Sequence, residues 1–120
     1  MAGAPYPKAS QLARGERRYR RKVASPKQWQ AIIEAKRGPC RLERFICEGR
    51  IEYHHIVPRS QGGDDVEDNI APLCTYHHAN LWMPSPRRAF AELLTDAEYA
   101  YVVGKLGESG MERLFGVGRT

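Results

Sequence analysis

The sequence has no long hydrophobic run, and no window of it approaches the roughly 18 apolar residues that a membrane-spanning helix needs. The opening residues MAGAPYPKAS lack the apolar stretch of a signal peptide. At 120 residues the chain is too short for two independent domains, and it contains no internal repeat or long low-complexity tract. These absences predict a single intracellular, cytoplasmic domain without a membrane partner.

Cysteine and histidine are scarce, but they are grouped. The three cysteines are Cys40, Cys47 and Cys74, an odd number that intramolecular disulfides cannot pair completely. The four histidines form two adjacent pairs, His54-His55 and His77-His78. In a reducing compartment, cysteines that occur beside histidines favour metal binding over cross-links. The pattern predicts a metal site.

Acidic residues are outnumbered, with 14 Asp and Glu against 19 Lys and Arg, for a formal charge of +5 and a pI near 9.3. The excess is concentrated between Lys8 and Lys22, where Glu16 is the single acidic residue. Such an arm can neutralise phosphates along a nucleic-acid backbone and so bind in a salt-sensitive way. The alternative is a solvated, partly flexible basic tail. The candidate phosphate contacts in this arm are Arg17, Arg18, Arg20, Arg21 and Lys22.

Helix and strand signals divide the middle of the chain. Ser25 as N-cap and Pro26 at the first helical position predict a helix from about Pro26 to Lys36, with Trp29, Ile32 and Ile33 on its apolar face. Residues 50–57 predict a strand that delivers His54 and His55 to opposite faces. After a turn at RSQGGDD, residues 69–73 predict a second strand, and residues 75 to about 82 a short helix carrying His77 and His78.

The last third of the chain reads as a helical tail. Ser85-Pro86 opens one segment, and Thr95 with Glu98 forms a capping box before a second segment that ends at Gly107. Ser109 with Glu112 forms another capping box, followed by Gly116. The apolar stripes on these segments indicate packing faces.

The segment HHIVPRSQGGDDVEDNIAPLC, followed by TYHH, resembles the HNH endonuclease family and, more narrowly, small phage-type HNH proteins. The likeness extends from about Glu52 to Trp82, a quarter of the chain. It implies an α+β fold with a ββα-metal, treble-clef-like core and flanking N-terminal and C-terminal helices. We accordingly expect a basic arm at residues 1–24 and an HNH domain at residues 25–120, with its core at about 40–83 and a helical tail at 85–116.

The resemblance also implies residue roles. His55 matches the general base that takes a proton from water, and Asn69 matches the amide that keeps the base-bearing strand in place. His54 and His78 match the ligands of a catalytic divalent ion, Mg²⁺ or Mn²⁺, with Ni²⁺ or Zn²⁺ as alternatives.

The roles of the neighbouring residues stay open. Arg59 either holds a phosphate or is solvated, and Glu52 either bonds a ligand imidazole or faces solvent. Gly62, Gly63 and Asp64 are interpreted as turn residues.

A second metal is expected from the cysteines. Many HNH domains carry two Cys-x-x-Cys knuckles around a structural zinc ion, and here Cys74-Thr-Tyr-His77 resembles one of them. Cys40 and Cys47 would complete a Cys3His site, although six residues separate them instead of two. If Glu43 occupies the second position of that knuckle, Cys47 is a small buried residue and zinc is weak or absent.

Two functions follow from the resemblance. The favoured one is a metal-dependent endonuclease that nicks or cuts DNA; the rival is a catalytically silent zinc module that binds DNA or a protein. Expected partners are DNA and a phage packaging protein such as terminase, with the chain as a monomer or weak dimer. If phage-encoded, the protein would act in the host cytoplasm.

Overall fold

The computed structural model describes residues 20–43 and 46–116, so Arg17 and Arg18 lie outside the described part of the chain. The helices and strands are α1 (Pro26–Lys36), β1 (Ile51–His55), β2 (Ile70–Cys74), α2 (Thr75–Ala79), α3 (Pro84–Glu92) and α4 (Asp96–Phe115). Two short 3-10 turns, Arg59–Gln61 and Glu67–Asn69, connect the strands. This mixture of helices and a two-stranded sheet confirms the predicted α+β class.

Helix α1 has the predicted bounds, and its start is capped more fully than expected. The Ser25 hydroxyl accepts a hydrogen bond from the Gln28 backbone at 3.2 Å, while the Gln28 side chain accepts one from the Ser25 backbone at 2.9 Å. This reciprocal capping satisfies two backbone N–H groups that the helix itself cannot pair. Ile32 is buried beneath the helix, as its apolar face predicts.

The two strands pair antiparallel, with His54 opposite Ala71 and His55 opposite Ile70. Strand β1 is shorter than predicted because the backbone N–H of Val57 bonds to the Asn69 side chain, at 2.7 Å, and leaves the ladder. Strand β2 begins and ends one residue later than the predicted 69–73, and helix α2 ends at Ala79, about three residues earlier than predicted. The order strand, turn, strand, helix is as expected.

The tail differs from prediction in two details. Helix α3 begins at Pro84 rather than Ser85, because the fixed φ of proline suits the first position of a helix. Gly107, with φ 78° and ψ 171°, leaves the helical conformation and divides α4 into two helical segments, at the position where the sequence predicts a helix end. The Ser109 hydroxyl accepts a hydrogen bond from Arg113, at 3.4 Å, and within the described residues it makes no capping box with Glu112. The Thr95–Glu98 capping box is confirmed.

The core is shared between the sheet and the tail. Ile56, Val57 and Leu73 come from the first half of the domain and are at most 1% exposed. Phe90, Val102 and Met111 from α3 and α4 are 0% exposed and belong to the same cluster. Burial of each such side chain contributes about 1.5–3 kcal/mol. Among the described residues, no helix combines the length and apolar character needed to cross a bilayer.

One carboxylate lies inside this core. Glu98 is 0% exposed, and it accepts hydrogen bonds from Lys36 at 2.5 Å and from Arg41 at 2.6 and 2.9 Å. Burial opposes ionisation of Glu98, but the hydrogen bonds from Arg41 and Lys36 outweigh it, so its pKa is lowered. Glu98 therefore joins the end of α1, the loop that follows it and the start of α4.

Candidate metal centre and catalytic cleft

Three thiols and one imidazole converge beside the end of β2. The Nδ1 atom of His77 lies 3.3 Å from Sγ of Cys74, 3.4 Å from Cys40 and 3.7 Å from Cys47. All four potential ligand atoms lie within 4.8 Å of one another. Ligands of a tetrahedral zinc ion stand about 3.3–3.8 Å apart, so the set fits this metal. Cys47 belongs to the set despite its longer spacer, whereas Glu43 is exposed and does not.

Local structure explains how this cluster forms. Cys74 is the N-cap of α2, and its sulfur accepts a hydrogen bond from the His77 backbone at 3.4 Å. Burial opposes ionisation of Cys74, but backbone hydrogen bonds from His77 and Glu48 lower its pKa. Burial and the neighbouring thiols of Cys74 and Cys40 raise the pKa of Cys47 to about 12. Ionisation of all three neighbouring thiols would require a positive charge close by, which a bound cation would supply.

The rings of His54, on β1, and His78, on α2, meet edge to face with their centroids 5.1 Å apart. His54 also packs against Phe90 of α3, at 5.6 Å. Burial lowers the pKa of His54 to about 3, and the charges of His78 and His55 add to the effect. His54 is therefore a neutral imidazole at physiological pH, the form that binds metals.

Glu52 contacts the second of these histidines. Its Oε1 atom lies 2.7 Å from Nδ1 of His78, and its Oε2 atom accepts a hydrogen bond from Thr75 at 3.3 Å. The hydrogen bond with His78 lowers the pKa of Glu52. With Nδ1 donating to this carboxylate, Nε2 of His78 carries the lone pair and faces away from it. Of the two alternatives for Glu52, a bond to an imidazole or exposure to solvent, the structure shows the bond to the imidazole.

His55 has different neighbours from His54, as the strand alternation predicts, although both side chains line one open cleft. Its Nε2 atom lies 2.7 Å from Oδ1 of Asp65, and its ring stacks on Trp29 with centroids 5.7 Å apart and planes 7° apart. Asp65 also accepts hydrogen bonds from Arg21 at 2.8 Å and from the Ala24 backbone at 2.9 Å. Burial opposes ionisation of Asp65, but hydrogen bonds from Ala24 and His55 lower its pKa. An ionised carboxylate thus holds His55.

Asn69 ties the loop to the sheet. The residue is 0% exposed; its Oδ1 atom accepts from the Val57 backbone at 2.7 Å, and its Nδ2 atom donates to the carbonyls of Val57 at 3.1 Å and Asp64 at 3.0 Å. Both polar atoms of the amide therefore make hydrogen bonds across the turn, as the resemblance implies.

Glycine is required at positions 62 and 63 for two different structural reasons. Gly62 has φ 84°, which favours glycine, whereas a Cβ atom at Gly63 would lie 1.8 Å from the Val57 carbonyl oxygen. Asp64 is buried and bonded to Tyr101 at 2.7 Å and to Lys105 at 2.9 Å. These contacts agree with the interpretation of Gly62, Gly63 and Asp64 as turn residues.

The predicted DNA-contacting residues are only partly described. Arg20 and Lys22 are exposed, and Arg21 is occupied by its ion pair with Asp65. The Arg59 side chain is 62% exposed, with Nε 3.9 Å from Asp65.

Trp29 and Asp65 are the site residues that sequence reasoning missed. Trp29 was assigned only to the apolar face of α1, and Asp65 only to the loop. The acidic pair after the double glycine is the signal that could have suggested a partner for a nearby histidine.

Comparison with family models matches residues 40–80, about a third of the chain, to the HNH endonuclease family. Comparisons with curated proteins and with solved structures gave no match. The matched segment begins at the first cysteine of the Cys3His cluster and includes both histidine pairs. Residues 40–80 therefore carry the motif of an HNH endonuclease domain, on a mixed helix and two-stranded fold of the ββα-metal type.

Proposed function

We propose that this protein is a metal-dependent endonuclease that hydrolyses phosphodiester bonds of DNA. The observation that carries the proposal is one open cleft of about 400 Å³, whose lining includes His54, His55, His78, Tyr53 and Arg59. The cleft combines His55, which is bonded to Asp65, with His54 and His78, which are suited to hold a cation. A purely structural zinc module has no need of the first.

His55 would take the proton from the attacking water. With its Nε2 atom donating to Asp65, the lone pair is on Nδ1, and the carboxylate stabilises the positive charge that the ring acquires. Asp65 is therefore proposed as a positioning residue for His55. Asn69 holds the turn that joins the two, so its loss would act through geometry.

His54 and His78 would hold the catalytic cation. Imidazole nitrogens suit Ni²⁺ or Zn²⁺ better than Mg²⁺ or Mn²⁺, which prefer oxygen ligands. When bound, a divalent ion supplies positive charge to the phosphate as the bond breaks. The exposed guanidinium of Arg59 would bind a phosphate oxygen, and the basic arm, including Arg20 and Lys22, would follow the DNA backbone.

The deciding experiment is a plasmid-nicking assay with Mn²⁺ or Mg²⁺ on the wild type and on His55→Ala. We expect the substitution to lower the nicking rate by about 10²–10⁴-fold, the usual contribution of a general base. Zinc content should stay unchanged, because His55 lies outside the Cys3His cluster. Equal rates in the two proteins, or no nicking by the wild type, would contradict the proposal.

The rival function is a zinc-stabilised module that binds DNA or a protein without cutting it. The Cys3His cluster favours this reading, since it is complete without the catalytic cleft. In that case the wild type would bind DNA and nick none. The cytoplasm remains the predicted compartment, and a packaging protein such as terminase remains a predicted partner.

A second prediction concerns Glu52. Glu52→Ala removes the carboxylate that orients His78, and we expect the divalent-ion concentration for half-maximal nicking to rise about 10–100-fold. Glu112→Ala is the matched control, because it removes an exposed carboxylate from α4. Equal metal requirements for the two variants would show that Glu52 does not support a metal ligand.

A further inference from the structure

We propose that a second cleft beside the catalytic one receives a nucleotide of the substrate strand next to the cleaved phosphate. This subsite rests on the proposed nuclease function and names how the strand is placed in it. Its side chains are Trp29 and Arg59, with Val23 and Pro26 contributing apolar surface.

The two clefts are adjacent, because they share lining residues. The second has a volume of about 440 Å³ and is lined in part by Arg21, Val23, Pro26 and Asp65. Trp29 and Arg59 line both clefts. A strand that leaves His55 on this side therefore passes Trp29 and Arg59 before it reaches bulk solvent.

The apolar part of the subsite suits a base or a sugar. Val23 is 72% exposed, so its apolar side chain is accessible to a ligand in this cleft. Trp29 is held in place by its parallel stacking on His55, so its indole presents a fixed apolar surface. Bases of any sequence stack on aromatic side chains, and a fixed ring loses little entropy when they do.

The charged part of the subsite suits a phosphate. Asp65 already accepts hydrogen bonds from His55 at 2.7 Å and from Arg21 at 2.8 Å. Arg59 approaches the same carboxylate only to 3.9 Å, and its side chain is 62% exposed. Its guanidinium donors are therefore directed mainly to solvent, where they can bind a phosphate oxygen in a bidentate manner.

Stacking and phosphate contacts carry no base sequence, so the subsite would fix the position of the strand rather than select its sequence. Because Trp29 touches His55, a nucleotide bound there would stand one contact away from the proposed general base.

The experiment uses the full-length Trp82→Phe protein, in which Trp29 is the remaining one of two tryptophans. A short single-stranded oligodeoxythymidylate is added without divalent cation, and both Trp29 fluorescence and anisotropy of the labelled strand are recorded. We expect saturable quenching of Trp29 that parallels binding. Trp29→Ala should weaken binding about tenfold, and Trp29→Phe should retain most of the affinity.

Arg59→Ala keeps the test decisive if Trp29→Ala fails to fold, because Arg59 is on the surface. It should weaken binding and reduce the slope of log affinity against log salt by about 0.7, the contribution of one phosphate contact on a single strand. Trp82→Ala in the wild type is the matched control and should bind normally. Binding without quenching, or an unchanged salt slope in Arg59→Ala, would overturn the subsite. Quenching in a wild type that never nicks DNA would retain the subsite and reject the nuclease.

Discussion

Removal of zinc from the Cys3His cluster is expected to unfold the domain. Cys40, Cys74 and His77 are buried, so without a cation the thiols and the imidazole would be packed together away from solvent. Structural zinc contributes about 10–16 kcal/mol in small zinc domains, as much as the whole stability of a typical protein. Chelator treatment, and the variant Cys74→Ser, should therefore abolish the cooperative thermal transition seen by circular dichroism.

The control is His54→Ala/His78→Ala, which alters the catalytic cleft and spares the cysteines. We expect this protein to retain one zinc ion per chain by native mass spectrometry and to unfold cooperatively. Cys47→Ser should be milder than Cys74→Ser, because Cys47 is exposed. A wild type that contains no zinc and unfolds at the same temperature with and without chelator would refute a structural zinc ion.

Glu98→Ala is expected to destabilise the domain by about 3–5 kcal/mol, the usual effect of removing one partner from a buried ion pair. The substitution leaves Lys36 and Arg41, whose side chains are 11% and 19% exposed, without their carboxylate. It also removes half of the capping box at the start of α4. Urea unfolding followed by fluorescence would measure the change in free energy.

Glu108→Ala is the matched control, since this carboxylate is exposed on the same helix and should change stability by less than about 0.5 kcal/mol. The pH dependence gives a second test. Because the pKa of Glu98 is lowered, its stabilisation is full above the unfolded-state value of about 4.3 and is lost as pH falls through the folded-state value. The acid-side decline in stability should be shallower in Glu98→Ala. Equal stability of the two variants would mean that Lys36 and Arg41 find other partners.

The local parts of the fold were predictable because their signals lie within a few residues of one another. Ser25 with Pro26 fixed the start of α1, and Thr95 with Glu98 fixed the start of α4. The alternation of side chains along a strand was enough to predict that His54 and His55 have different neighbours. Gly107 also marked the end of a helical segment correctly, because its backbone leaves the helical conformation there, although the capping box predicted at Ser109 and Glu112 does not form among the described residues.

The long-range contacts could not be predicted, since a short pattern does not reveal a distant partner. Glu98 fitted a capping box completely, yet the same carboxylate also binds Arg41, 57 residues earlier in the chain. Asp65 fitted a loop, yet it binds His55 and Arg21 at once. Cys47 had the wrong spacing for a standard knuckle, and only the path of the chain brings its sulfur to His77.

The shared core has a consequence for modularity. The segment that matches the family ends at residue 80, but the ring of His54 rests on Phe90, which packs on Phe115 near the end of α4. A fragment of residues 40–80 alone would contain every histidine and cysteine of both sites. It would lack Phe90, against which the ring of His54 packs. The unit that can be moved to another protein with its fold intact therefore extends well beyond the residues that match the family, and it includes the tail helices α3 and α4.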